Sequence, residues 1–327
     1  CDTLTPRLYH MYEKAWENGI LPRSLREAMV IPLPKKGSNI DTVQAYRPLS
    51  MLTIDFKILS KALANLLGPM MSQLVHSDQN GFIPAWNTSL NLRRLYRVME
   101  ETDLSNFPYA MIASLDLEKA FDSLDWTFLE QVMLHMGLGG DWIRWVRLLY
   151  TESLARVRTS VTISAEYQIH RGPRQGCPLS PMLFALAMEP IAETMRNEGR
   201  IRGIPLHDDV HIIPLYADNI LLYLQDGTQG LSPAIELIRD FGILSGLKLN
   251  TKKSCLFPIA HEVSAPPQEL EGMNWCPDTF RYLGIQIYHE PSELKEGNLG
   301  RAVRGIRPSV NYWCTLQLPI MSRIVIT

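Results

Sequence analysis

The sequence predicts an α+β chain in which short apolar strands alternate with amphipathic helices. Three observations predict it. Tyr109 to Leu115 is a compact apolar run that leads directly into Asp116, as a buried strand delivering a carboxylate would. Ile212 to Leu224 has the form of a β-hairpin with Tyr216-Ala217-Asp218-Asn219 at its turn, where Asp and Asn both tolerate positive φ. Around these lie stretches with apolar residues at helical spacing, such as Leu8, Met11, Tyr12, Ala15 and Trp16 before Gly19.

Taken in order, Leu4 to Gly19 is a helix ending on its glycine, and Ala28 to Pro34 is a strand whose prolines argue for a sheet edge. A turn at Lys35-Lys36-Gly37-Ser38-Asn39 follows, then helices over Asp55 to Leu67 and Leu90 to Glu101. After the strand that ends in Asp116, a helix from about Leu124 to Tyr150 is broken at Gly137-Leu138-Gly139-Gly140. Val157 to Ile169 alternates like a hairpin. Pro181 to Arg196 is helical, with Pro181 at an N-terminus where its missing N–H costs nothing. A helix over Leu231 to Leu244 closes on Gly246, Ala260 to Gln268 has the composition of a flexible loop, and Phe280 to Tyr288 is strand-like.

Of 327 residues, 46% are hydrophobic against 20% charged, a balance that excludes disorder for most of the chain and fits two domains, or one large one with an appendage. Thirty-two Lys and Arg against 34 Asp and Glu leave a net charge of −2, so any nucleic-acid contact must be local. The apolar stretch Ile212 to Leu224 is interrupted by Pro214, Asp218 and Asn219, and no membrane-spanning segment is expected. The cysteines at 1, 177, 255, 276 and 314 form no C-x-x-C pair, which argues against zinc and disulfide frameworks and for a reducing, intracellular setting. The sequence opens on Cys1 and stops within the apolar run Ile324-Val325-Ile326-Thr327, so a fragment is expected.

Asp116 and Asp218 are the informative pair. A buried strand has no structural use for a carboxylate, because an unpaired buried charge costs several kcal/mol or more. Brought together, two such acids would cradle Mg²⁺, which favours hard oxygen ligands and keeps waters and substrate phosphates in its shell. Two such ions about 3.5–4 Å apart serve in-line phosphoryl displacement. The bland alternatives stay open at this point: Asp116 as a helix cap, Asp218 as a turn residue.

Five segments decide between them when taken in order: Ser114 to Asp122 (SLDLEKAFD), Arg171 to Pro181 (RGPRQGCPLSP), Leu215 to Asn219 (LYADN), Gly246 to Ser254 (GLKLNTKKS) and Tyr282-Leu283-Gly284. They resemble the successive palm motifs of a reverse transcriptase. The upstream Tyr46 to Ser50 (YRPLS), Asp55 to Leu59 and Asp78 to Pro84 (DQNGFIP) resemble the fingers of the non-LTR retrotransposon branch, the long interspersed element type. The resemblance runs from about Leu21 to Ile287.

That resemblance implies a right-hand polymerase with helical fingers, an antiparallel-sheet palm backed by helices and a truncated thumb. Residues 1–107 would be fingers, 108–290 palm and 291–327 the start of the thumb. It further implies an RNA-directed DNA polymerase acting on an RNA template, a DNA primer and dNTPs, with two Mg²⁺ ions for which Mn²⁺ would substitute, and a nuclear location. Asp116 and Asp218 would be metal ligands, with Asn219 a weak third, and Lys253 would protonate the departing pyrophosphate. Phe121 would gate the sugar against a ribose 2′-hydroxyl. Gln175 and Gly176 would lie against the incoming nucleotide, and Arg47 and Arg174 near its phosphates. Tyr282, Leu283 and Gly284 would form the primer grip. Arg301, Arg304 and Arg307, with Lys295 and Arg323, give the last stretch a basic character suited to a duplex backbone.

The sequence departs from the family at one position of consequence. Most active relatives carry a second acid where this chain has Asn219, which would remove a full negative charge from the metal site that the resemblance implies. Impaired activity is therefore expected. The alternative from another class is an inactive nucleic-acid-binding remnant. A group II intron maturase shares the palm but fits the fingers motifs less well. The missing upstream endonuclease and most of the thumb fit a fragment of a longer element.

Overall fold

The computed structural model describes residues 4–35, 39, 41–83, 88–260 and 272–315. Helix α1 (Leu4–Asn18) is followed by a single turn, α2 (Arg23–Arg26), that leads into β1 (Glu27–Pro34). Strand β2 (Tyr46–Met51) returns antiparallel to it, with Leu33 opposite Arg47 and Pro32 opposite Pro48. Helix α3 (Ile54–Leu67) starts because the Thr53 hydroxyl accepts from the Phe56 N–H, supplying one of the partners a first turn lacks. The short α4 (Met71–Leu74) and the longer α5 (Thr88–Glu101) complete this region.

Strand β3 (Met111–Leu115) enters the second half of the chain, followed by α6 (Ala120–Ser123), α7 (Trp126–His135) and α8 (Gly140–Tyr150). Asp125 caps α7 by accepting from the N–H groups of Thr127 (2.8 Å) and Phe128 (3.2 Å). Strands β4 (Leu154–Val157) and β5 (Tyr167–Gln168) precede α9 (Ser180–Asn197), and a small hairpin, β6 (Ile204–Leu206) and β7 (Asp209–His211), follows it. Then come β8 (Leu215–Tyr216), β9 (Asn219–Leu224) and α10 (Leu231–Ser245), which ends on Gly246 at φ +79°. The described chain closes with β10 (Cys255–Pro258), β11 (Asn274–Trp275), β12 (Thr279–Tyr282), β13 (Ile285–Tyr288) and α11 (Pro291–Thr315).

The central sheet has the order β11-β10-β3-β9-β8. All its pairings are antiparallel except β10 with β11. Both faces are buried, and the alternation along each strand shows how. Met111, Ala113 and Leu115 of β3, with Ile220, Leu222 and Leu224 of β9, join the larger core formed with α3, α7, α9 and α10. Ile112, Leu221 and Tyr223 point the other way, onto Leu95 and Val98 of α5 and onto Phe280, Tyr282 and Ile287 of the β12–β13 hairpin. The sheet is thus the antiparallel, helix-backed layer the sequence predicts, with a hairpin and α5 covering its second face.

A second sheet, β2-β1-β4-β5, joins residues far apart in the chain. Strand β1 is interior to it, which corrects the expectation of an edge strand. Its prolines survive there because β4 pairs only with Glu27 to Val30, leaving Pro32 and Pro34 with a neighbour on one side alone. The division expected at residue 107 runs through this sheet, since β4 and β5 come from beyond it. The hairpin expected over Val157 to Ile169 begins earlier, at Leu154, and beyond β4 its ladder is reduced to a single bridge between Arg158 and Ile163. The strand expected over Phe280 to Tyr288 is a two-stranded hairpin. Leu283 (φ +48°) and Gly284 (φ +84°) make its two-residue turn, which alternating apolar residues on both sides concealed. Lys36, Pro84, Arg323 and nearly all of the loop expected at 260–268 lie outside the described residues. Among the described residues no helix is long and apolar enough to cross a membrane.

Candidate active site

Strands β3 and β9 are paired antiparallel with Leu115 opposite Ile220. One step beyond Leu115 is Asp116, and the residues just before Ile220 are Asp218 and Asn219. Both acids therefore leave the same end of two adjacent strands. The interior of a sheet packed on both faces has no place for them, and they stand where the apolar layer runs out, each half-buried. Burial pushes the Asp116 carboxyl above the usual range, opposed by the Lys253 ammonium and a hydrogen bond with Asn250. Lys253 Nζ lies 3.9 Å from Asp116 Oδ2. Burial also raises Asp218, against its own backbone N–H, and the Asp116 charge raises it further while Lys253 opposes. The two acids repel one another and share one lysine.

The segment Gly246 to Ser254 forms the floor beneath Asp116. Its Ser254 hydroxyl accepts from Asp116 N (3.1 Å), Asn250 N donates to Asp116 O (2.8 Å), and Glu118 N donates to Lys248 O (2.7 Å). Ser254 Oγ in turn donates to Asn250 O at 2.8 Å. Gly246 has to be glycine twice over: its φ is positive, and a Cβ would sit 2.6 Å from Ser123 O.

Tyr216 pairs with Asn219, so Ala217 and Asp218 form a two-residue turn, with Ala217 at φ +56°. Sequence reasoning missed what holds it. Gln79, fully buried, accepts through Oε1 from Ala217 N and from Gly81 N, both at 3.0 Å. Asn80 N donates to Leu215 O, Leu215 N donates to Asp78 O, and Asn91 Nδ2 donates to Leu215 O at 2.9 Å. Residues 78–81 thus run alongside β8 as a stub of extra strand. Its signal lay in the DQNGFIP segment, whose polar residues had no buried role until the hairpin was placed against them. Asn219 Nδ2 reaches Tyr216 O and Asp218 Oδ1 only at 3.4 Å, a weak pair of contacts.

Phe121 stacks on the fully buried Phe184 (centroids 4.4 Å, 18°) and meets Phe82 edge-on at 6.1 Å. Phe82 also approaches Tyr216, so the stub beside Asp218 and the ring expected to gate the sugar belong to one aromatic cluster. Gln175 Nε2 donates to Asp122 Oδ1 (2.9 Å), and its carbonyl accepts from Ser50 N (3.1 Å). Gly176 (φ +103°) leaves no room for a Cβ, which would stand 2.7 Å from Ser50 O. Arg47 is exposed on β2. Lys35, at the end of β1, is close enough for its charge to lower both Asp116 and Asp122. The end of β1 therefore brings a cation toward Asp116 and Asp122.

Two expected contacts do not hold. Arg174 is 3% exposed; its Nη2 donates to Arg26 O and its guanidinium lies 5.2 Å over the Phe56 ring, so it joins α2 and α3 to the 171–178 loop and faces no open site. Tyr282 is 2% exposed, its hydroxyl accepting from Asn91 Nδ2 at 3.2 Å, so its ring packs behind the sheet and cannot touch a primer. Leu283 and Gly284 remain at the surface of that turn.

Among the described residues no group of three or more His, Cys, Asp or Glu side chains is assembled for a metal ion. The oxygens brought to this strand end are two carboxylates and the Asn219 amide. Hard, partly desolvated and mutually repelling oxygens fit a magnesium-like cation that takes its remaining ligands from water and phosphate.

Residues 33–287 match the family described as reverse transcriptase (RNA-dependent DNA polymerase). The chain belongs to that family. A transposon TX1 149 kDa protein of Xenopus laevis is 30% identical over 88% of this chain and 22% of its own length. The Pol polyprotein of the R2DM retrotransposable element of Drosophila melanogaster is 27% identical over 82% of this chain and 26% of its own. The chain thus spans about a quarter of these relatives, and they place the reverse transcriptase domain in the non-LTR retrotransposon branch. Apo telomerase from Candida tropicalis shares the right-hand polymerase fold at a TM-score of 0.56 and 9% identity, over 88% of this chain and 52% of that one.

Proposed function

We propose that the chain is the polymerising core of an RNA-directed DNA polymerase, extending a DNA primer on an RNA template with dNTPs. The observation that carries this is the placement of Asp116 and Asp218 at one end of paired strands, with Lys253 beside them. Asp116 and Asp218 would hold two divalent ions, with the Asn219 amide oxygen as a weaker contact. Bound there, the ions would supply charge neutralisation for the attacking 3′-hydroxyl and the departing pyrophosphate. Lys253 would exchange its ion pair with Asp116 for the leaving phosphates and donate a proton to them. Phe121, held flat by Phe184, would exclude a ribose 2′-hydroxyl, while Gln175 and Gly176 would line the incoming nucleotide and Arg47 and Lys35 its phosphates. Leu283 and Gly284 would meet the primer. In this reading residues 1–107 are the fingers, joined by β4 and β5, 108–290 are the palm and 291–327 begin the thumb. Arg301, Arg304 and Arg307, exposed along α11, would face a duplex backbone. The family resemblance favours work in the nucleus.

Primer extension on an RNA template tests this: it should require Mg²⁺ or Mn²⁺ and vanish in Asp116→Ala and in Asp218→Ala. Asn219 favours a second reading, a nucleic-acid-binding remnant without catalysis. RNA binding that persists or tightens in those variants, with no extension by the unaltered chain, would establish the remnant. Vigorous extension would sink it.

A further inference from the structure

We infer that Gln79 is a positioning residue for metal binding, acting through the Ala217-Asp218 turn. The inference rests on the reading of Asp116 and Asp218 as metal ligands. Three features of the structure carry it.

The turn cannot hold its own shape cheaply. Ala217 is a non-glycine residue at φ +56°, and its backbone N–H is buried with a residue only 3% exposed. A non-glycine residue in the left-handed region persists only where its surroundings over-determine it. The partner that satisfies that N–H is a side-chain oxygen from 138 residues away, Gln79 Oε1 at 3.0 Å.

The oxygen is itself fixed. It accepts a second bond from Gly81 N at 3.0 Å, which settles which end of the amide faces the turn, and the residue is wholly buried. Gly81 then presses directly on the turn: a Cβ there would stand 2.2 Å from Ala217 N. Gln79 therefore sets both the distance and the tilt of the Tyr216–Ala217 peptide that leads into the turn carrying Asp218.

The amide is also kept at a cost. Its Nε2 is buried and has no hydrogen-bond partner among the described residues. A donor left unpaired inside a protein is tolerated where the rest of the group does something an apolar side chain cannot. Here the retained function is the acceptor that aims Asp218.

Mn²⁺ titration of the purified chain, followed by electron paramagnetic resonance, tests this without relying on catalysis. Gln79→Met keeps length and apolar volume but removes the acceptor, and its affinity for Mn²⁺ should fall by about 10–100-fold, as when an outer partner of a metal ligand is lost. Gln79→Glu restores an oxygen and should recover most of that loss. Trp145→Leu removes a ring packed 4.8 Å from Trp16 between α8 and α1, outside both the stub and the turn; it should lower thermal stability and leave Mn²⁺ affinity unchanged. If Gln79→Met does not fold, Gln79→Asn, one methylene too short to reach both N–H groups, takes its place with the same expectation. Equal affinity in the unaltered chain and in the Gln79 variants overturns the inference. Mn²⁺ binding that is indifferent to Asp116→Ala overturns the metal reading itself, a distinct result.

Discussion

Gly81→Ala isolates the geometry on which the site depends. The backbone at Gly81 is not in the left-handed region, so alanine is conformationally acceptable there. The added methyl would stand 2.2 Å from Ala217 N, 2.9 Å from Tyr216 C and 3.0 Å from Ala217 Cα. All three are backbone atoms, so no side chain can swing aside. An ordinary contact begins near 3.4 Å, so stub and turn must separate by about 1.2 Å. Such overpacking costs about 1–3 kcal/mol in stability. Its effect on catalysis should be larger. Asp116 is anchored separately, through Ser254 and Asn250, so the displacement falls on Asp218 alone and changes the spacing of the two acids. A misplacement of about 1 Å can cost 100-fold in rate. Single-turnover addition of one nucleotide to a primer on an RNA template, beside a thermal melt, would measure both. Gly199→Ala is the matched control, since its methyl meets nothing within 4 Å among the described residues. If Gly81→Ala adds the nucleotide at the unaltered rate and melts at the same temperature, the reasoning about a rigid turn fails.

Further outcomes are expected. Asp218→Asn should abolish extension yet stabilise the metal-free chain, because a desolvated carboxylate facing Asp116 disappears. The raised native pKa means the folded state binds the proton more tightly, so the penalty is absent at the lowest pH and grows as pH rises above about 4. Melting temperatures of both forms from pH 3.5 to 7 in chelator would show a widening gap, and a constant gap would count against the assignment. Phe184→Leu keeps apolar bulk but loses the stacked face under Phe121, at a cost of about 0.5–1.5 kcal/mol. It should raise incorporation of ribonucleotides relative to deoxynucleotides, measured in competition; an unchanged ratio would remove Phe121 from the sugar gate. Asn219→Asp should increase extension by roughly 10-fold or more if the amide is the defect, and equal rates would clear Asn219. Arg174→Met should leave the apparent KM for dNTP unchanged while lowering the melting temperature, since the guanidinium is enclosed by Arg26 and Phe56.

The sequence by itself determined the two strand segments that deliver the acids and the order of the motifs, because these are local facts. An apolar run of strand length that stops at Asp116 is visible without neighbours, and so is an Ala-Asp turn between apolar flanks. The helix stops at Gly246 and the break at Gly137 to Gly140 were legible for the same reason. Only the tertiary structure decided which polar residues face the site and which are enclosed, since that depends on what arrives from elsewhere in the chain. Arg174 sits one residue from Gln175 and yet is buried, because α2 and α3 close over it. Tyr282 heads a surface turn and is lost behind the sheet, because α5 brings Asn91 to its hydroxyl. Gln79 stood in the sequence only as one polar residue of the DQNGFIP segment, and it became the acceptor for the Asp218 turn only when β8 was laid beside it.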